Sequence, residues 1–137
     1  MSSRLMALMA VLGAAGCNKA ATTPTSPTTT TATTILFDGT LEPKSTRFYS
    51  YTMTTAGTVS AMLASLERNN SPMPNALEIG LGIPAGTGCA VSASQNASSQ
   101  LIPHLKQDFG TGTYCVRISD VDGLPAPMNF TIRLVHP

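Results

Sequence analysis

The chain has 137 residues, of which only 11% are charged, and its formal net charge is +1 at pH 7. This composition excludes a basic surface for nucleic acid and an acidic interaction tail, so we expect no nucleic-acid partner. The length leaves room for one domain of ordinary size after a short N-terminal leader.

The first residues resemble an export signal. Arg4 carries a positive charge, an apolar run follows over 5–16, and the small residues Ala14-Ala15-Gly16 directly precede Cys17. This arrangement resembles a bacterial lipoprotein signal peptide with its lipobox. The resemblance implies that residues 1–16 are removed and that the Cys17 sulfur carries a diacylglycerol. A membrane-spanning helix needs about 20 apolar residues, which is more than this run supplies. An ordinary signal peptide cut nearby is the alternative.

Residues 17–34 form the predicted tether. After Cys17 they are rich in Thr, Pro and Ser and contain no large apolar side chain, so nothing offsets the entropy of ordering them. We therefore expect a disordered spacer that holds a domain away from a membrane. Asn18, rather than Asp, follows the cysteine. Within the resemblance this favours a lipid-anchored place in the cell envelope, at the outer membrane where a bacterium has two.

From Ile35 to Pro137 the hydrophobic period is two. Apolar side chains alternate with polar or small ones, as in Tyr49-Ser50-Tyr51, and Gly, Pro, Asn and Asp occupy the gaps. Such alternation places one face of each strand in a core and the other in water. Short strands at this spacing indicate an all-β, antiparallel β-sandwich or barrel. The pattern predicts seven or eight strands, at about 34–37, 46–53, 57–64, 77–83, 89–94, 99–105, 113–119 and 128–135.

Several of these segments resemble one known family. They are Phe48–Met53, Ala56–Val59, Leu77–Leu81, Gly112–Ile118 and Phe130–Ile132. Together they are similar to the bacterial pre-peptidase C-terminal (PPC) domain, with Gly112–Ile118 as the most specific part. The resemblance covers nearly all of residues 35–137 and implies a jelly-roll-like β-sandwich. The family is usually appended to secreted peptidases and other exported proteins, and we transfer its fold rather than a role.

An immunoglobulin-type sandwich is the second fold considered. That fold has a buried Trp and a corner Tyr two residues before a Cys. This chain has no Trp, and Tyr114 directly precedes Cys115. We rank it below the PPC-like sandwich.

The two cysteines after Cys17 are Cys89 and Cys115. In an oxidising compartment such a pair predicts a disulfide, which would tie the strand 113–119 to the segment that begins at Cys89. Cys115 alternates with Tyr114 and Val116, so we expect it to face away from the main core. The alternative is a nucleophilic Cys115 with His104 as its base, but no third orienting residue is evident.

Other candidate chemistry is sparse. The two histidines, His104 and His136, lack ligand-spaced partners for zinc, so we expect no metal site and place them at the surface or rim. The run 120–123 resembles half of a calcium loop, although a turn explains it equally well. Phe48 and Phe109 are the aromatic residues most exposed by the strand pattern and are our candidates for binding. Packing at the sheet rim for Phe48, and a loop anchor for Phe109, are the alternatives.

Taken together, the sequence predicts a lipid-anchored, extracytoplasmic lipoprotein whose β-sandwich has a binding or structural role. We predict no enzyme activity and no cofactor, and a protein or polysaccharide partner. A calcium-dependent carbohydrate- or matrix-binding module and a small envelope hydrolase are the alternatives.

Overall fold

The computed structural model describes residues 29–100 and 102–137, and within them it contains only β-strands. None of these residues belongs to a helix long and apolar enough to cross a membrane. The predicted signal peptide 1–16, Cys17 and most of the predicted tether lie outside the described residues. The strands are β1 (Thr33–Leu41), β2 (Thr46–Met53), β3 (Gly57–Arg68), β4 (Ser71–Pro72), β5 (Leu77–Ala85), β6 (Gly88–Ala97), β7 (Leu105–Phe109), β8 (Gly112–Ser119) and β9 (Met128–His136).

The strands form two antiparallel sheets. One sheet has the order β1-β9-β3, with β7 and β4 both paired to the outer edge of β3, and the other has the order β2-β8-β5-β6. The pairs are nested along the chain: β1 with β9, β2 with β8, β3 with β7 and β5 with β6. A long hairpin folded over in this way is a jelly roll. The predicted all-β, jelly-roll-like sandwich is thus confirmed, and the pairing of first and last strands differs from the immunoglobulin order.

The core lies between the two sheets and follows the period-two pattern. On β9, for example, Phe130, Ile132 and Leu134 are buried while Asn129 and Arg133 are exposed. Both sheets contribute apolar side chains that have almost no contact with water, and their burial drives the packing of one sheet on the other. The largest of them are Leu41, Met53, Leu63, Leu66, Leu77, Ile79, Leu81, Ile118, Met128, Phe130, Ile132 and Leu134.

Two tight turns have the residues that their geometry requires. Asn69 and Asn70 have φ angles of 50° and 61°, and they join Arg68 to its partner Ser71. Two central residues with positive φ make a type I′ hairpin turn, in which Asn is strongly favoured. The sequence placed a turn here but did not predict β4, because a strand of two residues is too short to show a period.

One predicted strand is wrong. Residues 99–100 and 102–104 are not in a strand, and β7 begins only at Leu105 and ends at Phe109. The reason is tertiary, because β7 pairs with the first part of β3 through the register Gly57↔Phe109 to Ala61↔Leu105. The other predicted strands occur where expected; β2 has the predicted bounds and the rest are longer. β1 starts at Thr33, inside the predicted tether, and β3 continues to Arg68.

The sandwich has two dissimilar ends. At the near end, the chain enters at Thr33 beside His136, and the turns are the short segments 54–56, 86–87 and 110–111. At the far end lie the longer connections 42–45, 73–76, 98–104 and 120–127, together with the β3–β4 turn. The nine residues of β1 separate the two ends by about 30 Å.

Candidate functional site at the far end

The far end is organised around one buried carboxylate. Asp120 is only 8% exposed, and its Oδ2 accepts the backbone N–H groups of Lys44 and Leu124, each at 2.6 Å. Its Oδ1 accepts the N–H of Gly123 at 2.9 Å. The Asp120 N–H in turn donates to the Ser45 carbonyl at 3.0 Å. One side chain therefore holds the 42–45 turn against the 120–127 loop.

The charge of Asp120 is favoured in this site. Burial alone raises the pKa of the carboxyl, but backbone N–H donors from Lys44, Leu124, Gly123 and Asp122 outweigh burial and leave its pKa below the ordinary value. Both carboxylate oxygens thus already have donors, so a calcium ion at 120–123 would have to displace them. The geometry corresponds to the turn interpretation of this segment.

Next to the pinned turn, a groove of about 390 Å³ runs along the start of β2. Phe48 lies at this groove on the outer face of the four-stranded sheet and is 38% exposed. Arg47 points to the opposite face, yet its side chain is also exposed because β2 is the last strand of its sheet. The lining residues are Glu42, Ser45, Thr46, Arg47, Phe48 and Tyr49.

Two smaller grooves also lie toward the far end. One, of about 350 Å³, crosses the outer face of the five-stranded sheet between β1, β9 and β3. The other, of about 260 Å³, separates the end of β3 from residues 99–100. The far end therefore combines irregular backbone, concave surface and exposed side chains, a combination that is typical of recognition surfaces on rigid β-sandwiches.

The structure separates the two aromatic residues that the sequence proposed for binding. Phe109 lies at the near end, as the last residue of β7 rather than in a loop, and its ring centroid is 4.3 Å from that of Tyr114. It is half-buried against the core, which fits the anchor interpretation. Of the two residues, Phe48 is the one that lines the groove beside β2.

The near end is closed by an aromatic cluster. The Tyr51 ring lies 6.1 Å from Tyr114 and 5.9 Å from His136, measured between centroids. His136 is only 6% exposed, so its predicted position at the surface or rim is wrong. It is buried because β9 runs in register with β1 to its last residues, which places the imidazole over the core. Burial, and secondarily Tyr114, raises the pKa of Tyr51.

The predicted disulfide is present. Cys89 on β6 and Cys115 on β8 are bonded, with their Cα atoms 5.9 Å apart. In the sheet order β5 lies between these two strands, with Cys115 opposite Gly82 and Cys89 opposite Pro84. Cys115 is fully buried but lies outside the main core cluster, as the strand phase predicted. With its sulfur in the disulfide, Cys115 is not available as a nucleophile with His104.

His104 instead has a local structural contact. The ring Nδ1 accepts a hydrogen bond from the backbone N–H of Leu63 at 3.2 Å. The backbone N–H of His104 donates to the Ala61 carbonyl at 3.0 Å. An Nδ1 that accepts a hydrogen bond requires the neutral ring. Burial lowers the pKa of His104, and the Ser98 backbone only partly offsets this effect. Among the described residues, no group of three His, Cys, Asp or Glu side chains could hold a metal ion.

The sequence interpretation missed Arg47 and Glu42 as parts of the groove. A signal was present for Arg47, which is in phase with Tyr49, Tyr51 and Met53 and so stands at a core-facing position. A charge at such a position indicates an edge strand. No comparable signal marks Glu42, because it lies in a turn whose place depends on the contact with Asp120.

A scan against models of protein families finds no match to this chain, and a search of curated proteins finds none. The resemblance to the PPC domain and the lipobox therefore stays a prediction from the residues.

Proposed function

We propose that this chain is an extracytoplasmic lipoprotein, anchored to a membrane through a lipid on Cys17, and that its β-sandwich is a non-catalytic binding domain. The partner is a protein or polysaccharide of the cell envelope, and it binds at the far end. The observation that carries the proposal is the position of Thr33. The chain comes from its lipobox-like segment into the near end, about 30 Å from the long loops and grooves.

This arrangement supports display away from a membrane. A lipid on Cys17 followed by the Thr- and Pro-rich tether would bring the near end closest to the bilayer. The short turns of the near end offer little surface for recognition. The far end would face away from the bilayer, with the carboxylate of Asp120 keeping two of its connections in place.

The anchoring part of the proposal is tested at the N-terminus. Mass spectrometry of the mature protein should find Cys17 as the first residue with a diacylglycerol on its sulfur. The Cys17→Ser variant should lose the modification and leave the membrane fraction. An unmodified Cys17, or a mature chain that starts elsewhere, would remove the anchor from the proposal.

The binding part is tested with matched surface variants. Val121 is exposed at the far end, next to the 42–45 turn, and Ile83 is exposed toward the near end. The variant Val121→Ser should reduce partner recovery from solubilised envelope, or a glycan-array signal, by about tenfold. Ile83→Ser should leave both unchanged. Equal loss in both variants would contradict far-end recognition, and reproducible substrate turnover by the purified protein would contradict a non-catalytic domain.

A further inference from the structure

The two sides of the sandwich differ in how their sheet edges are protected. On one side, the outer edge of β3 is covered over most of its length. β7 pairs with residues 57–61, His104 and Gln100 bond to Ala61 and Leu63, and β4 pairs with residues 67–68. β7 itself is short and charged. β6, which borders the same side, has a bulge opposite Leu81 and Gly82. These are devices by which natural sheets prevent unwanted pairing.

The other side has fewer such devices, and Arg47, a charge at a core-facing position of β2, is one of them. β1 and β2 are the edge strands there, and each keeps an unbroken register with its single neighbour. The hydroxyl of Tyr49 donates to the Asp38 carbonyl of β1 at 3.0 Å, so one backbone acceptor on that edge is occupied. β2 has no such contact among the described residues. Its alternate residues direct N–H and C=O groups away from β8, because an antiparallel ladder uses only every second residue of an edge strand.

The groove beside this free edge contains unpaired charges of both signs. In the described part of the chain the ion pair is Arg117 with Glu78, which leaves the exposed side chains of Arg47 and Glu42 without a charged partner. Phe48 presents a ring on the other face of the same strand. A strand added next to β2 would therefore meet backbone hydrogen-bonding groups, one aromatic surface and two complementary charge positions.

We propose that β2 is a strand-addition site for an extended peptide segment of a partner protein, which pairs antiparallel with Thr46–Met53. This inference rests on the proposed binding function and names its surface and partner class. Residues opposite each other in such a ladder share a face. The peptide therefore needs an apolar residue opposite Phe48, followed directly by an acidic residue opposite Arg47. A basic residue further toward its C-terminus would approach Glu42.

A second copy of this chain fits the edge less well. Two β2 strands related by a two-fold axis would run antiparallel, and that would place the two near ends, with their lipid attachment points, at opposite ends of the dimer. Chains anchored in one membrane would have to span that distance with their tethers. A peptide from a different protein has no such restriction.

The test uses the mature chain with Cys17→Ser and a displayed library of random decapeptides as the probe. We expect selection of peptides with adjacent apolar and acidic residues and a basic residue nearer the C-terminus. Adding a selected synthetic peptide should then slow hydrogen exchange at alternate amides of β2. Failure to select any peptide, or protection at β1 or β6 instead, would overturn the proposal.

Charge exchange provides the decisive variant. Arg47→Glu should lower the affinity for the selected peptide by about tenfold. Replacing the acidic residue of the peptide by Lys should restore the affinity for this variant. Arg133→Glu, on the outer face of the other sheet, is the matched control and should change the affinity less than twofold. If the Lys-substituted peptide does not recover the affinity lost in Arg47→Glu, pairing at Arg47 is contradicted. Phe48→Ala should also weaken binding without unfolding the domain.

The remaining outcomes identify other occupants. Protection of β2 that rises with protein concentration and needs no peptide would indicate a second copy and overturn the proposal. Protection lost on removal of residues 18–28 would indicate the tether and overturn it as well. The peptide measurements do not involve the lipid. Binding with an unmodified Cys17 would therefore refute only the anchor, whereas a lipidated chain that binds no peptide would refute only the β2 site.

Discussion

The two ends of this sandwich are held together by different chemistry. Toward the near end, strands of the four-stranded sheet are joined covalently through Cys89 and Cys115, and an aromatic cluster closes the core. At the far end, backbone N–H groups from two connections meet on the carboxylate of Asp120. A disulfide does not titrate, whereas the carboxylate of Asp120 is a charged acceptor only while it is ionised. The end proposed for recognition is therefore the end whose order can be adjusted.

Removal of the disulfide should have the largest effect. The bond closes a separation of 26 residues, so Cys89→Ser/Cys115→Ser should lower the free energy of unfolding by about 3–4 kcal/mol in the chain-entropy model. Urea unfolding of the double variant beside unreduced wild type measures this. Cys17→Ser is the matched control and should not alter stability. A loss below about 1 kcal/mol would show that the strands need no covalent bond.

Loss of the Asp120 charge should have the next largest effect. Asp120→Asn keeps the size of the side chain but replaces one acceptor oxygen by an NH₂ donor. The buried N–H groups of Lys44 and Leu124 then lose a charged acceptor, and we expect a cost of about 2 kcal/mol by chemical denaturation.

Asp122→Asn is the control for this change, because Asp122 is exposed and provides only a backbone N–H to the site. It should change the free energy of unfolding by less than about 0.5 kcal/mol. Because the folded-state pKa of Asp120 is lowered, its contribution is complete above the unfolded pKa and is lost as the pH falls through the folded pKa. The difference in the free energy of unfolding between wild type and Asp120→Asn should therefore disappear in strong acid.

Replacing Phe109 should lower the stability of the fold more than replacing Phe48. Phe109→Ala removes a half-buried ring that packs on Tyr114, and we expect a cost of about 1–2 kcal/mol. Phe48→Ala removes a more exposed ring and should cost less than about 0.5 kcal/mol. Thermal unfolding of both variants measures the difference. The reverse order would mean that Phe48, and not Phe109, is the packing residue.

The smallest expected effect is a pH dependence at His104. Because the folded-state pKa of this ring is lowered, stability should be complete above the unfolded pKa of about 6.5 and should decline as the pH falls from there toward the folded pKa. His104→Asn keeps an acceptor for the Leu63 N–H but does not titrate. In this variant the free energy of unfolding should therefore vary less with pH over this range. If the free energy of unfolding of the variant has the same slope against pH as that of the wild type, a group other than His104 causes the pH dependence.

Much of the fold could be predicted from the residues. The period of two located every long strand, because alternate side chains must choose between core and water whatever the strand pairs with. The Asn69-Asn70 turn was visible because Asn tolerates a positive φ. The strand at 99–105 was misplaced because its apolar residues carry no information about which part of β3 they pair with.

The candidate site was less predictable than the fold. Phe48 lies in an alternating segment and Phe109 precedes a Gly-Thr-Gly turn, but neither pattern shows that Phe48 lines a groove or that Phe109 packs on Tyr114. Asp120 belongs to a segment that reads equally well as a turn or half a calcium loop. Lys44, whose backbone N–H bonds to Asp120, is far away in the sequence. The sequence therefore could not show that the Asp120 carboxylate accepts hydrogen bonds from the backbone.

By itself, the sequence determined what depends on neighbouring residues: the β period, the turns and the parity of the cysteines. The tertiary structure alone decided which loops share an end, which carboxylate is buried and which strands lie at the edges of the sheets. Those properties arise from hydrogen bonds between segments remote in the chain, and no local pattern encodes which remote segment will supply the partner.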